Sequence, residues 1–398
     1  MWLGRLPERR TAVFPIAAVP MVAQKRARGM KCVSIPCRYL ARRTGGAMER
    51  TVGAILGALI GDALATGCHW YYDLPTMRRV CGDWVRDYRR PAPGHYHDGL
   101  EAGECSQSGW LLVLLMESVL AQKGYDEADF TRRLDELLFP ELDGSPRQGP
   151  GGYTSQSIRE AWRKRVVEGR PWGECAGFAD TTEGVERVIP LVALLHRDLS
   201  EMAKAVLAHI ALTQKDVTVL AMSLAYASVL ALLLRGEPFD ARISQRLMAA
   251  VQAGELPFHT VTGGDLAALP QDERPLRPGE LPSPDALLTP GTIALAAADP
   301  AIVIEPAWKA SLVYGMPCAI YHQLPAVYYL TARFPGDFEG AVLHAVNGGG
   351  QNLSRAMLTG ALMGAQVGLA GIPERFVRGL RGSERYLAMA RELAALAS

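Results

Sequence analysis

The chain has 398 residues, 49% of them apolar, with 42 Lys and Arg against 41 Asp and Glu and a net charge of +1. That is ample apolar material for a substantial core, at a length that suits one large domain or two small ones. The near-zero charge excludes a general electrostatic pull toward nucleic acid or an anionic membrane. Seven cysteines without CxxC or Cys/His zinc spacing exclude a disulfide framework and read as reduced thiols.

Residues 1–47 stand apart, with ten Lys and Arg and one acid, Glu8. They lack a continuous apolar core, which argues against a secretory signal. An Arg-rich, acid-poor leader resembles an organelle transit peptide, although this one is poor in Ser and rich in Pro. The other reading takes Met48 as the true initiator. Either way the segment is set aside from the fold, and the location expected for the rest is cytoplasmic, or an organelle if the leader is a real transit peptide.

From Thr51 onward the pattern is helical. Gly53, Gly57 and Gly61 recur every four residues beside Ala54, Ala58 and Leu59, a small-residue stripe that lets another helix approach closely. Further apolar helices are expected over 110–120, 185–195, 199–211, 217–234, 357–367 and 383–397. The 217–234 run is interrupted by Thr218, Ser223, Tyr226 and Ser228, which suits a core helix better than a membrane span. Residues 139–153, dense in Pro and Gly, read as a loop. Residues 257–300 read as an extended surface excursion, with room for short helices. Strand patterns are scarce, so the expected domain, 48–398, is all-α with long surface loops.

Four segments carry polar groups in suggestive places. Gly61-Asp62-Ala63-Leu64 ends the first helix and leads to His69-Trp70-Tyr71-Tyr72-Asp73, where Asp62 and the aromatics either line a pocket or act as a cap and half-buried core. Gly103-Glu104-Cys105-Ser106-Gln107-Ser108-Gly109 enters a helix, where free N–H groups suit an anion and Ser106 or Ser108 equally suits simple N-capping. Asn347-Gly348-Gly349-Gly350-Gln351-Asn352-Leu353-Ser354-Arg355 enters another helix. Gly349 and Gly350 permit close approach of a ligand or a plain turn, and Arg355 can pair with phosphate. It is neither a Walker loop nor a Rossmann turn. Asp180-Thr181-Thr182-Glu183 reads as a capping box with Asp180 as N-cap.

Taken in this order, the segments resemble the ADP-ribosylglycohydrolase superfamily. The matching pieces are residues 57–65 (with Ala65 replacing a Gly), Gly184 with Arg187, Pro190 and Leu191, residues 349–368, and Ile372-Pro373-Glu374-Arg375. The resemblance covers about residues 50 to 380, and its C-terminal piece is the most specific. It implies an all-α fold whose cleft holds two Mg²⁺ ions that cleave a glycosidic bond of ADP-ribose, because hard cations need carboxylate oxygens.

The chain departs from that pattern at the metal loops. The family's Thr-Asp-Asp-Thr falls on Ser106, Gln107, Ser108 and Gly109, and its Asp-Thr-Asp-Thr falls on Gln351, Asn352, Leu353 and Ser354, so the usual aspartate ligands are missing. A family glutamate falls at His69. One branch, selenoprotein J and the J-type crystallins, is similar at residues 68–72, Thr213-Gln214, 349–356 and 364–374; its selenocysteine falls near Tyr314, so its redox chemistry is not carried over.

What the resemblance then implies is a small-molecule or ADP-ribosylated substrate, with no cofactor expected beyond a family Mg²⁺ whose ligands are absent. Asp62, His69 and Glu104 are the candidate acid–base groups. Trp70, Ser106, Gln107, Ser108, Gly349, Gly350, Gln351, Asn352, Ser354 and Arg355 are the candidate binding residues. The alternatives are a catalytically silent nucleotide-binding or crystallin-like protein, or a site that keeps one metal through Asp62, Glu104 or other acids. The sequence leaves the oligomeric state unset.

Overall fold

In a computed structural model of the chain, the described residues are 46–259, 275–282 and 285–397. The expected leader lies outside them apart from its last two residues, and so does 260–274 of the expected excursion. Among the described residues the elements are seventeen α-helices with short 3₁₀ and π turns. Among these same described residues, extended segments meet only in isolated bridges such as Gly177 with Gln214 and Thr181 with Ala319.

The glycine stripe organises the centre. Helix Ala47–Thr66 is buried without interruption from Thr51 to Thr66, and helix Asn352–Val367 is buried from Asn352 to Ala365. Enclosed on nearly every side, these are core helices rather than surface ones. They run antiparallel in contact. A Cβ on Gly53 would overlap the carbonyl oxygen of Gly364, one on Gly57 that of Gly360, and one on Gly61 that of Ala356. The two helices can lie this close only because these positions carry no side chain.

Helix Val217–Leu234 packs on the pair. It is long and apolar enough to cross a membrane, yet most of it is buried inside the protein. Two of its polar residues are satisfied within the core: the Tyr226 hydroxyl donates to the Leu358 carbonyl at 2.8 Å, and Ser228 donates to the Leu224 carbonyl at 2.8 Å. Asp216 caps it through the N–H groups of Thr218 and Val219, and Asp198 caps Leu199–Ala211 in the same way. Both helices start where their apolar runs begin, each directly after an acid that caps it.

One expectation is corrected and a second is sharpened. The single helix expected over 185–195 is two, Glu183–Arg187 and Ile189–Leu195. Pro190 has no N–H to donate to the carbonyl of Glu186, so the ladder breaks there. The 257–300 excursion is not all loop, because Asp285–Ala298 is a helix that packs against Ile320–Arg333 and Ile243–Gln252. Its Pro290 and Gly291 disguised it as irregular chain. Residues 139–153 are irregular as expected, apart from the short turns Phe139–Glu141 and Pro150–Gly152.

Candidate functional site

Four chain segments meet at the ends of the central helices. Helix Ala47–Thr66 runs out into His69 and Trp70. Ser106 begins helix Gln107–Gln122, Glu183–Arg187 forms one short wall, and Gln351 immediately precedes Asn352–Val367. Between them lies a cavity of about 20 Å³, lined by His69, His97, Ser106, Gln107, Ser108, Tyr153, Ser155, Glu183, Glu186, Gln351 and Leu353. That is room for a single water.

Its carboxylates are deeply enclosed. Glu186 is 1% exposed. Its Oε2 accepts from the Ser108 hydroxyl at 2.5 Å, and its Oε1 from Thr182 at 2.6 Å and from the Ser354 hydroxyl. Glu183 accepts from the Ser157 N–H at 3.1 Å and the Thr181 hydroxyl at 2.6 Å, and burial pushes its carboxyl up from its ordinary value. Behind Ser106 sits Asp62, wholly buried, accepting from the Ser106 N–H at 2.8 Å and the Ser106 hydroxyl at 2.5 Å. Burial, reinforced by the nearby Glu186, raises Asp62 from 3.8 to about 7 despite those hydrogen bonds.

The opposite wall is imidazole. His69 Nδ1 lies 2.7 Å from His97 Nε2, His69 Nε2 lies 2.5 Å from Gln351 Oε1, and His97 Nδ1 lies 2.5 Å from the Gly151 carbonyl. Burial lowers both histidines, His97 to about 4. Outside this pair the aromatic rings of Trp70, Tyr96 and Tyr153 pack edge to face at 4.7 to 5.4 Å. Arg147 lies over Tyr96 and Arg159 over Tyr153. Trp70 and His97 hold left-handed backbone, φ 66° and 64°. Such conformations cost about 1–3 kcal/mol and cluster at functional sites.

The structure sorts the sequence candidates. His69, Ser106, Gln107, Ser108 and Gln351 line the cavity, Ser354 stands beside it on Glu186, and Trp70 stands on the rim. Asp62 stands behind the lining, with both carboxylate oxygens on Ser106. Glu104 is corrected: it accepts from the Glu101 N–H at 2.9 Å and lines a different groove with Trp110, Arg381 and Arg385. Arg355 is also corrected. Its fully buried guanidinium donates to the carbonyls of Ala345 and Gly349 and to Gln323, so it braces the loop instead of facing a phosphate.

Asn352 likewise donates inward, to the carbonyls of Cys68 and Val346. Gly349 and Gly350 do adopt positive φ, but a Cβ on either would strike Leu74, Tyr71 or Met316. Gly350 exchanges backbone hydrogen bonds with Trp70 and Tyr71. The glycine loop is packed against protein, not open to a ligand. Asp180 is not the N-cap: Thr182 precedes the helix, and Asp180 accepts from the Tyr321 hydroxyl.

Sequence reasoning missed His97, Tyr153, Tyr96, Glu183 and Glu186 as site residues. Glu183 and Glu186 were visible, three apart on one short helix, but the capping pattern explained one of them too well. The Thr213-Gln214 pair is architectural. Gln214 ties Ala179, Thr181 and Gly184 together, and Thr213 accepts from buried Arg187.

The donor set does not fit a pair of magnesium ions. The Gln107 amide is spent on Thr154 and on the Ser155 N–H. The Ser106, Ser108 and Ser354 hydroxyls point at carboxylates, and Leu353 offers no donor. Among the described residues no cluster of His, Cys, Asp and Glu is arranged to hold a metal ion.

Residues 44–398 match the family model described as ADP-ribosylglycohydrolase. An uncharacterized protein of Archaeoglobus fulgidus is 26% identical over 337 residues, 84% of this chain and 93% of that relative. A solved structure described as an ADP-ribosylglycohydrolase-related protein complex superposes with a TM-score of 0.59 at 23% identity, over 88% of this chain and 99% of that one. At that identity the likeness speaks to the fold alone.

Proposed function

This chain belongs to the ADP-ribosylglycohydrolase family, and from that premise we propose that it binds and hydrolyses a ribosyl or ADP-ribosyl N-glycoside with its own acid–base groups, without the usual di-magnesium centre. The observation that carries this reading is the convergence of His69, Glu183 and Glu186 on a water-sized cavity behind an aromatic, cationic rim. Glycoside cleavage passes through an oxocarbenium-like transition state and needs a proton for the leaving group and a base for water. Glu183, pushed up by burial, suits the proton donor. Glu186 suits the base that holds the water and faces the developing positive charge. Rings on the rim suit an adenine, and Arg147 and Arg159 suit phosphates. In this reading the partner is a small molecule or an ADP-ribosylated side chain, and the setting is the cytoplasm.

A second reading follows from closure. The site's polar atoms largely satisfy one another, and the cavity is too small for a sugar until the rim opens. That favours a silent relative of the selenoprotein J and J-type crystallin branch, which residues 68–72 and 364–374 resemble. A turnover screen over ADP-ribosylated Arg, ADP-ribosylated Ser and free nucleosides, with and without Mg²⁺, separates the two. Turnover that survives EDTA and disappears in Glu186→Gln supports hydrolysis. No turnover of any substrate in either condition removes it.

A further inference from the structure

Most of the polar side chains around the cavity are bonded to other parts of the protein. His69 and His97 bond each other, and their outer nitrogens go to Gln351 and the Gly151 carbonyl. The hydroxyls of Ser106 and Ser108 donate to Asp62 and Glu186, and the Gln107 amide holds Thr154 and the Ser155 N–H. Among the described residues, the Ser155 hydroxyl is the one enclosed polar side-chain atom of the lining that has no protein partner. Buried polar groups are as a rule hydrogen-bonded, so an exception points to something outside the chain that bonds it.

The position of Ser155 in the chain does not supply that partner. Ser155 directly precedes helix Gln156–Trp162, where a serine hydroxyl ordinarily accepts from an N–H of the first turn. No such bond forms, and the Ser157 N–H goes to Glu183 at 3.1 Å instead. The Ser155 backbone is fixed on both sides. Its N–H donates to Gln107 Oε1 at 3.1 Å, and its carbonyl accepts from the Arg159 N–H at 3.0 Å. The residue is 7% exposed. An anchored backbone therefore presents an enclosed, unspent hydroxyl at a cavity of about 20 Å³, the room of one water.

We propose that Ser155 holds one water in this cavity, donating to its oxygen while the water donates to Glu186. A buried water needs at least two polar partners, and the bonds at Glu186 leave a place for it. A carboxylate offers about four lone-pair sites. Glu186 Oε1 accepts from Thr182 and Ser354, and Oε2 accepts from Ser108, so the remaining site is on Oε2. With one lone pair on Ser155 and one hydrogen on Glu186, the water is fixed in orientation and keeps its second lone pair. In the hydrolytic reading, on which this last step rests, that lone pair forms the new C–O bond at the anomeric carbon as the C–N bond breaks. The water's proton passes to Glu186, and the leaving nitrogen takes its proton from Glu183. The water site itself stands without that reading.

Crystal structures of the full-length protein and of Ser155→Ala, both prepared in EDTA, test the site. The wild type should show one ordered water within about 3.2 Å of both Ser155 Oγ and Glu186 Oε2, and the variant should lack it. A wild-type cavity with no water on Ser155, or the same water retained in Ser155→Ala, overturns the proposal. Kinetics test the step that follows. On whichever of ADP-ribosylated Arg and ADP-ribosylated Ser the wild type turns over, Ser155→Ala should lower kcat about tenfold and leave KM within about twofold, as loss of an interaction made to the attacking water requires. An unchanged kcat overturns the role in attack. A wild type that turns over neither substrate ends the hydrolytic reading alone, and the two crystal structures still decide the water site.

Discussion

Asp62 lies in the wall of the site with both oxygens on Ser106, and burial lifts its carboxyl from 3.8 to about 7. The folded chain therefore holds this proton to higher pH than the unfolded chain does. Between those two values the unfolded state binds fewer protons, so the contribution of Asp62 to stability is full below 3.8 and is lost as pH rises through about 7. Asp62→Asn, which imitates the protonated form, should flatten that decline in thermal melts recorded across the window. A slope unchanged by the substitution would contradict the account. Arg355 makes a different prediction. Arg355→Met would strip hydrogen bonds from the carbonyls of Ala345 and Gly349 and should cost about 2–4 kcal/mol in urea denaturation.

At this scale the sequence was partly legible. His69, Gln107, Ser108 and Gln351, each flanking a helix end beside glycines, were singled out in the sequence and line the cavity. Arg355 and Asn352 were misread because residue type alone does not say which way a side chain turns. His97 lies in an unpatterned segment and carried no signal at all.

Helix contacts follow the glycine stripe, and the stripe was the clearest element-level signal in the chain. Gly57→Ala should gain about 1 kcal/mol of helix propensity. It should nonetheless destabilise the protein by about 1–3 kcal/mol, because the new methyl meets the Gly360 carbonyl. A calorimetric or denaturant midpoint at or above that of the unsubstituted protein would show that the helices can separate. Elsewhere the element boundaries were legible from the ends of apolar runs, and at Leu199 and Val217 a capping Asp198 or Asp216 stands directly before the start. They were hidden where proline sits inside helical chain, as at Pro190 and Pro290. Composition marks Pro290 as a breaker, but burial of Ala286, Leu287 and Ala294 against neighbouring helices outweighs it.

For the whole molecule, the all-α architecture was legible from periodicity, while the chemistry was not, because the site is assembled from segments nearly 300 residues apart. His69 meets Gln351, and Ser108 meets Glu186. Around the cavity, Ser108 and Ser354 donate to buried Glu186, and the Gln351 amide joins His69 to Ser354. In the proposed reading, the family fold meets its ligand with proton-bearing groups instead of cations. Isothermal titration of ADP-ribose into EDTA-stripped protein tests this most directly. The account predicts saturable binding that added Mg²⁺ leaves unchanged and Glu186→Gln weakens at least tenfold, about 1.4 kcal/mol. No heat at millimolar ADP-ribose, or binding that emerges only when Mg²⁺ is restored, would contradict it.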